Sequence, residues 1–245
     1  MHDDGYFDLH IAETYEVDTA NMSTPDVVNP VIHFLAEIAG NGRALELGIG
    51  TGRIALPLAQ SGVPVHGIDL SNAMVARLRA KTGAEDIGVT IGDFSTTKVA
   101  GSFTLAYLVF NTIMNLMTQA AQVACFRNVA AHLESGGCFV IEVLIPELRR
   151  LPPGETLRAY HLSENKWDID EYDVATQQLT SHHFKIREGE FERFSHPFRY
   201  VWPAELDLMA QLAGMSLRER WGGWKREPFT TESCKHVSVW EKPTT

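Results

Sequence analysis

Basic residues are scarce in this sequence. Only 21 lysines and arginines stand against 31 aspartates and glutamates, for a net charge of −10. Binding to nucleic acid or to an anionic membrane needs a basic face that neutralises phosphates, so neither is an expected partner. Long apolar runs are missing too. The longest, "FTLAYLVFNTIMNLM", is interrupted by Asn111 and Asn115 and falls short of the roughly 20 residues that span a bilayer. The opening "MHDDGYFDLH" carries acids where a signal peptide needs bases. Cysteine is sparse: Cys125, Cys138 and Cys234 are odd in number, far apart, and without the spacing of a metal site or a disulfide framework. They are expected to be buried, reduced thiols in a cytoplasmic protein. Repeats and low-complexity segments are absent.

What is present is a strand–helix alternation. The 245 residues suit one domain with a sizeable insertion. Residues 1–24 are mixed and polar, with Tyr6, Phe7 and Tyr15 as anchors. "STPDVVNPVIHFLAEIAG" reads as a helix capped by Ser23 or Thr24, with Pro25 in its first turn and Gly40 at its end. Pro30 either kinks this helix or marks its true start. Strands follow at "ALELG", "VPVHGID", "IGVTIGD", "FTLAYLVFN" and "CFVIEVLI", with helices between them, one capped by Ser71. This order predicts parallel βαβ units with helices on both faces of the sheet. The rhythm breaks at Pro146. Residues 147–202 show no helical period and read as a small antiparallel sheet built from "KWDIDEYD", "QQLTSHHFKIR" and "EFERFSHPFRYVW". The α/β rhythm then resumes with a helix at "PAELDLMAQLAG" and strands at "MSLRERWG" and "HVSVWEK".

The segment Glu46-Leu-Gly48-Ile-Gly50-Thr-Gly52 stands between a strand and a helix. Glycine there lets the backbone pass close to a ligand that a Cβ would strike, and the helix that follows offers unpaired N–H groups. A dinucleotide fingerprint puts its third glycine one position later, where this chain has Arg53, and no phosphate-loop Gly-Lys-Ser/Thr follows. Asp69 and Asp93 end the next two expected strands. In an open α/β sheet such acids border the ligand crevice, and the first accepts from ribose hydroxyls. Taken singly, each acid also reads as a helix cap or turn residue.

This set of motifs resembles class I S-adenosylmethionine-dependent methyltransferases of the small-molecule type, similar to those acting on sugar amines and other natural products. Glu46 to Gly52 matches the family's acid and Gly-x-Gly-x-Gly motif. Asp69, with Leu70 beside it, matches the ribose acid. Asp93 and Phe94 match the adenine loop, and "HLESGGCFVIE" matches the turn into the fifth strand, with Ser135 in place of the usual proline. Phe110 and Asn111 match the region near the methionine part, or are a core aromatic and a turn asparagine. One departure is Thr104, where the family often has an acid. The resemblance covers residues 30–146 and 203–241. It implies a Rossmann-like fold of mostly parallel strands, seven in all. It also implies S-adenosylmethionine as cofactor, S-adenosylhomocysteine as product, and a small-molecule acceptor. The N-terminal segment 1–40 is expected to lie over the cofactor site, with Tyr15 and Tyr6 as contacts or docking anchors. Arg53 reaches a carboxylate or is a solvated helix residue.

Transfer from a sulfonium is an in-line displacement in which alignment supplies much of the acceleration, about 7–11 kcal/mol at most. A protonated acceptor must also lose a proton, which makes a general base useful. Candidates are Glu142, His161 and His183, with His182 and His196 nearby. Strand alternation sends His182 and His183 to opposite faces, so at most one faces a pocket. Tyr160, Trp167, Phe184, Phe198 and Tyr200 wall an acceptor pocket, form the insertion's own core, or make a homodimer surface. The Asn/Asp-Pro-Pro-aromatic motif of base and amide methylation is absent; that place reads "FNTIMN". Cys125 lacks a Pro-Cys context. Alternatives are a relative that binds the cofactor without chemistry, and an RNA or protein methyltransferase.

Overall fold

The computed structural model describes residues 9–187 and 189–244. Five strands of its larger sheet run parallel: β1 Ala44–Leu47, β2 Val65–Asp69, β3 Gly88–Ile91, β4 Phe103–Leu108 and β5 Leu133–Leu144. β1, β4 and most of β5 are buried and read as near-continuous apolar runs, because helices cover both faces. The covering helices are α2 Pro25–Ala39, α3 Ala55–Gln60, α4 Asn72–Arg79 and α5 Gln119–His132. A helix that precedes all of these, α1, spans Leu9–Asp18.

The smaller sheet contains β6 Leu157–Leu162, β7 Lys166–Asp173, β8 Gln178–Arg187 and β9 Glu190–Arg199, each antiparallel to the next. The chain returns to the larger sheet through α6 Pro203–Leu212, β10 Ser216–Trp221 and β11 Lys235–Glu241. The seven-stranded order is β10-β11-β5-β4-β1-β2-β3, with β11 antiparallel to both its neighbours. The chain direction of strand addition reverses between β1 and β4, which opens a crevice at their carboxyl ends.

Two apolar clusters fill the faces of the sheet. One includes Leu45, Phe126, Phe139 and Trp240, and the other Phe34, Leu58, Leu105 and Val140. Truncating one such side chain to alanine costs about 2–5 kcal/mol. The small sheet joins the first cluster through Tyr172, Leu179 and Tyr200. A buried polar knot also fastens it. Arg199 donates to Gln122, Gln177 and Glu205, at 2.5, 3.1 and 2.7 Å.

Several expectations need correction. The polar N-terminal stretch contains α1, which the sequence did not mark because its apolar residues follow no clear helical stripe. Pro30 neither ends nor starts α2: the helix runs through it from Pro25. Thr24 sits at the N-cap without a side-chain bond to the helix, and its hydroxyl donates to Asn21 instead. The insertion holds a fourth strand, β6, exposed at nearly every position and so without an alternating pattern to read. β5 begins at Leu133, within the turn expected there. Cys125 and Cys138 are buried, but Cys234 is exposed. Tyr6 and Phe7 lie outside the described residues.

Candidate cofactor and acceptor site

The glycine loop leaves β1 with three left-handed residues: Gly48, Gly50 and Gly52 have φ of 72°, 54° and 78°. A Cβ at Gly48 would lie 2.8 Å from Thr112 Cγ2, and one at Gly52 2.3 Å from Leu78 Cδ1. Real Cβ atoms do not approach so closely, so the loop is shaped for glycine at both places. Asp69, at the end of β2, accepts from Gly50 N at 2.6 Å and from Ser71 N at 2.8 Å. Ser71 in turn caps α4 by accepting from Met74 N. The ribose candidate therefore also braces the loop. Leu70, beside it, is exposed.

Glu46 is buried beneath this loop. Register pairs it with Tyr107 on β4, whose hydroxyl donates to Oε2 at 3.0 Å. Burial pushes its carboxyl up to about 8; the Tyr107 bond opposes this and the charge of Asp69 adds to it. Arg53 follows the loop. It lies 4.7 Å over the Phe110 ring and 5.3 Å from the Tyr15 ring, with Nη2 donating to Thr19 Oγ1 at 2.9 Å. Its Nη1 is buried without a hydrogen-bond partner among the described residues. A guanidinium nitrogen left so is a mark of a missing anion.

The exit of β4 is strained. Phe110 and Asn111 are consecutive non-glycine residues at φ 53° and 65°. Such conformations cost about 1–3 kcal/mol each and persist where the surroundings impose them. Here Glu142 Oε2 accepts from Phe110 N at 3.1 Å, and Asn111 Oδ1 accepts from Leu144 N at 2.8 Å. Glu142 Oε1 pairs with Lys235 at 2.7 Å. Both Glu142 oxygens are thus engaged, and the residue does not line the cavity described below. Asp93 is exposed after β3 and accepts from Ser95 N at 2.8 Å. Phe94 is half-buried, and its carbonyl is held by Asn128 on α5 at 3.0 Å.

Next to this crevice lies a cavity of about 980 Å³, walled by α1, the small sheet and the ends of β4 and β5. Tyr15, Asn111 and Met114 line its crevice side; Tyr160, His183, Phe194 and Phe198 line its sheet side. His183 faces the cavity. His182 does not: it bonds Ser195 at 2.7 Å and Glu171 at 3.1 Å on the other face. His183 Nδ1 lies 2.8 Å from Asp168 Oδ1, and the imidazole stacks on Phe194 with centroids 4.5 Å apart. Burial holds its basicity below the usual histidine value, opposed by Asp168. His161 is exposed on β6, and the cavity does not include it. Of the five aromatics singled out, Tyr160, Phe184 and Phe198 line the cavity. Tyr200 packs in the main core and Trp167 lies elsewhere on β7.

Thr104, the departure from the family pattern, accounts for itself locally. Its hydroxyl donates to Ala39 O at 2.9 Å and closes the end of α2. Ser135 similarly donates to Pro243 O at 3.1 Å. Sequence reasoning missed Tyr107, Asn128, Lys235 and Asp168. Only the register of β7 and β8, which sets Asp168 opposite His183, marks the last as a partner.

Known proteins agree with this architecture. A family model described as a methyltransferase domain matches residues 44–137. The chain is similar to the CcbJ methyltransferase from Streptomyces caelestis, with 33% identity, 99% of this chain and 100% of that one covered, and a TM-score of 0.87. It is 26% identical to a cypemycin N-terminal methyltransferase of Streptomyces sp, over 99% of this chain and 100% of that protein. Its fold is shared by S-adenosylmethionine-bound CalS10, an amino pentose methyltransferase from Micromonospora echinaspora. That match has 20% identity, covers 99% and 100% of the two chains, and has a TM-score of 0.70. With the intact glycine loop and its acids, these matches show that the chain belongs to the S-adenosylmethionine-dependent methyltransferases.

Proposed function

We propose that this methyltransferase acts on an oxygen or nitrogen atom of a small molecule held in the cavity between α1 and the antiparallel sheet. The observation that carries this reading is that His183, held from behind by the buried Asp168, lines the same cavity as Tyr15 and Asn111. The bound cofactor supplies a methyl group already activated on a sulfonium. The chain's own residues do the rest. Gly48, Gly50 and Gly52 would admit the cofactor's amino-acid end, Arg53 Nη1 would pair with its carboxylate, and Glu46 beneath the loop would accept from its ammonium. Asp69, beside Leu70, would accept from the ribose, and Asp93 and Phe94 would hold the adenine. Tyr15, with α1, covers this site. Phe110 and Asn111 position the reacting end, and Glu142 acts as the positioning residue that fixes their left-handed turn.

In the acceptor cavity, Asp168 orients His183 through Nδ1, leaving Nε2 to take a proton from the acceptor. Because burial lowers the basicity of His183, it is neutral at pH 7 and ready to accept. His161, out on the exposed strand, has no part in this reading.

The full-length similarity to a cypemycin N-terminal methyltransferase favours a second reading, in which the acceptor is the terminal amine of a peptide. A homodimer would use the outer face of the small sheet, where Ile186 and Phe191 are exposed. Sedimentation that finds only monomer at micromolar concentration rejects that dimer.

The test is a screen of amino sugars, hydroxylated natural products and short peptides for S-adenosylhomocysteine release. With the first accepted compound, His183→Ala is expected to lower kcat by about 10²–10⁴-fold with little change in cofactor affinity. In the parent enzyme, kcat should fall as pH drops below the usual histidine range, where the imidazole charges. An unchanged rate in His183→Ala would remove the base.

A further inference from the structure

Resting on the acceptor reading of the cavity, we propose that Asp170 is the subsite that selects the acceptor, by pairing with a protonated amine that the acceptor carries. The inner face of the small sheet is set by alternation along its strands. On β7 it presents Lys166, Asp170 and Tyr172 to the cavity, with Asp168 buried behind His183. On β8 it presents Leu179, Ser181, His183 and Lys185.

The charged groups on this wall are mostly matched within the protein. Lys185 pairs with Asp18 at 3.5 Å and with Glu192 at 3.4 Å; Lys166 pairs with Asp168 at 3.2 Å. Asp170 is the acid in the cavity lining that forms no ion pair among the described residues. Register sets Arg158 directly across from it on β6, the natural partner for a carboxylate. Arg158 pairs with Glu147 instead, so its charge reaches Asp170 only without direct contact.

The surroundings of Asp170 also fit a ligand cation. Ser181 stands opposite it in register and shares its hydroxyl with Tyr160 at 3.1 Å. Phe194 and Phe198 complete an aromatic wall on β9. A half-buried carboxylate framed by hydroxyls and rings is a site for an ammonium, which gains both the ion pair and the ring faces. Burial already raises the cost of its charge, and an arriving cation relieves that cost. Asp170 lies one diagonal step from His183 in the β7–β8 ladder, so a small acceptor spans both. A neutral molecule of the same shape would form no ion pair with the carboxylate and should bind less well.

The experiment uses the full chain and a matched pair of probes, tryptamine and its neutral analogue tryptophol. Both are titrated by calorimetry into protein saturated with S-adenosylhomocysteine. Affinity for S-adenosylhomocysteine is measured first for every protein. The parent chain is expected to prefer tryptamine by at least about tenfold at pH 7. Asp170→Asn is expected to reduce that preference to within about threefold, and Asp170→Glu to restore part of it. A merely structural role would weaken both probes together. Equal binding of the two probes by the parent chain, no tryptamine binding, or a preference that survives in Asp170→Asn each overturns the proposal. No S-adenosylhomocysteine binding by the parent chain would overturn the cofactor reading itself, and this inference with it.

Discussion

Replacing Glu46 by glutamine tests the electrostatics beneath the glycine loop. The carboxyl is 3% exposed and is pushed up to about 8 from an unfolded value of 4.5, mainly by burial. The folded value is the higher one, so its contribution is intact below pH 4.5. It is then lost as pH rises through 8, because unfolding releases the proton the folded state retains. Each pH unit between these values removes about 1.4 kcal/mol. At pH 7 the accumulated loss is on the order of 3 kcal/mol, a large share of a domain's net stability of roughly 5–15 kcal/mol. Glutamine keeps the shape, meets the Tyr107 hydroxyl and cannot ionise. Urea unfolding of both proteins at pH 5, 6, 7 and 8 measures the difference. Glu46→Gln should be nearly level with the parent at pH 5 and gain on it by about 1 kcal/mol per unit above that. Its affinity for S-adenosylmethionine should fall most at the alkaline end of the series, where the parent carboxyl ionises and can offer the ammonium a counter-charge. A stability difference that stays constant across the series refutes the reasoning: Glu46 would then be ionised throughout.

Other substitutions probe separate parts of the account. Gly52→Ala places a methyl group 2.3 Å from Leu78 Cδ1 at a φ of 78°, and should lower stability by about 1–3 kcal/mol in urea unfolding. Asp69→Ala should weaken S-adenosylhomocysteine binding more than tenfold by calorimetry; unchanged affinity removes Asp69 from the cofactor site. Arg199→Leu strips the counter-charge from Glu205, whose carboxyl is held below its usual range by Gln177, Arg199 and Gln119 against the cost of burial. It should cost about 3 kcal/mol and loosen the small sheet from α5, visible as faster amide exchange in β8 and β9.

Much of the α/β sheet was legible because each parallel strand is a short apolar run between helices, and a doubly covered sheet asks for that pattern. Ser71 was readable as a cap from its place before an apolar helix, and it does cap α4. The glycine loop was legible because its spacing excludes side chains. What escaped was set by tertiary contact. α1 has no clear apolar stripe, and ion pairs are part of what holds it: Glu16 pairs with Lys81, and Asp18 with Lys185 and Arg187. β6 is an exposed edge strand. Glu142 looks like a catalytic acid at a strand end, yet it is tied to Phe110 N and to Lys235, a residue far along the chain. The two adjacent histidines were separated correctly in direction by alternation. That His183 has an aspartate behind it depends on strand register, which sequence alone does not supply.

The most direct measurement of the central claim is a melting curve with S-adenosylmethionine or S-adenosylhomocysteine, with NAD as control, for the parent chain and Asp69→Ala. A ligand at about 100 times its dissociation constant adds about 2.7 kcal/mol, or roughly 5–10 °C for a chain of this size. That shift is expected with both adenosyl ligands in the parent, a much smaller one in Asp69→Ala, and none with NAD. A shift with NAD, or none with either adenosyl ligand, would contradict it.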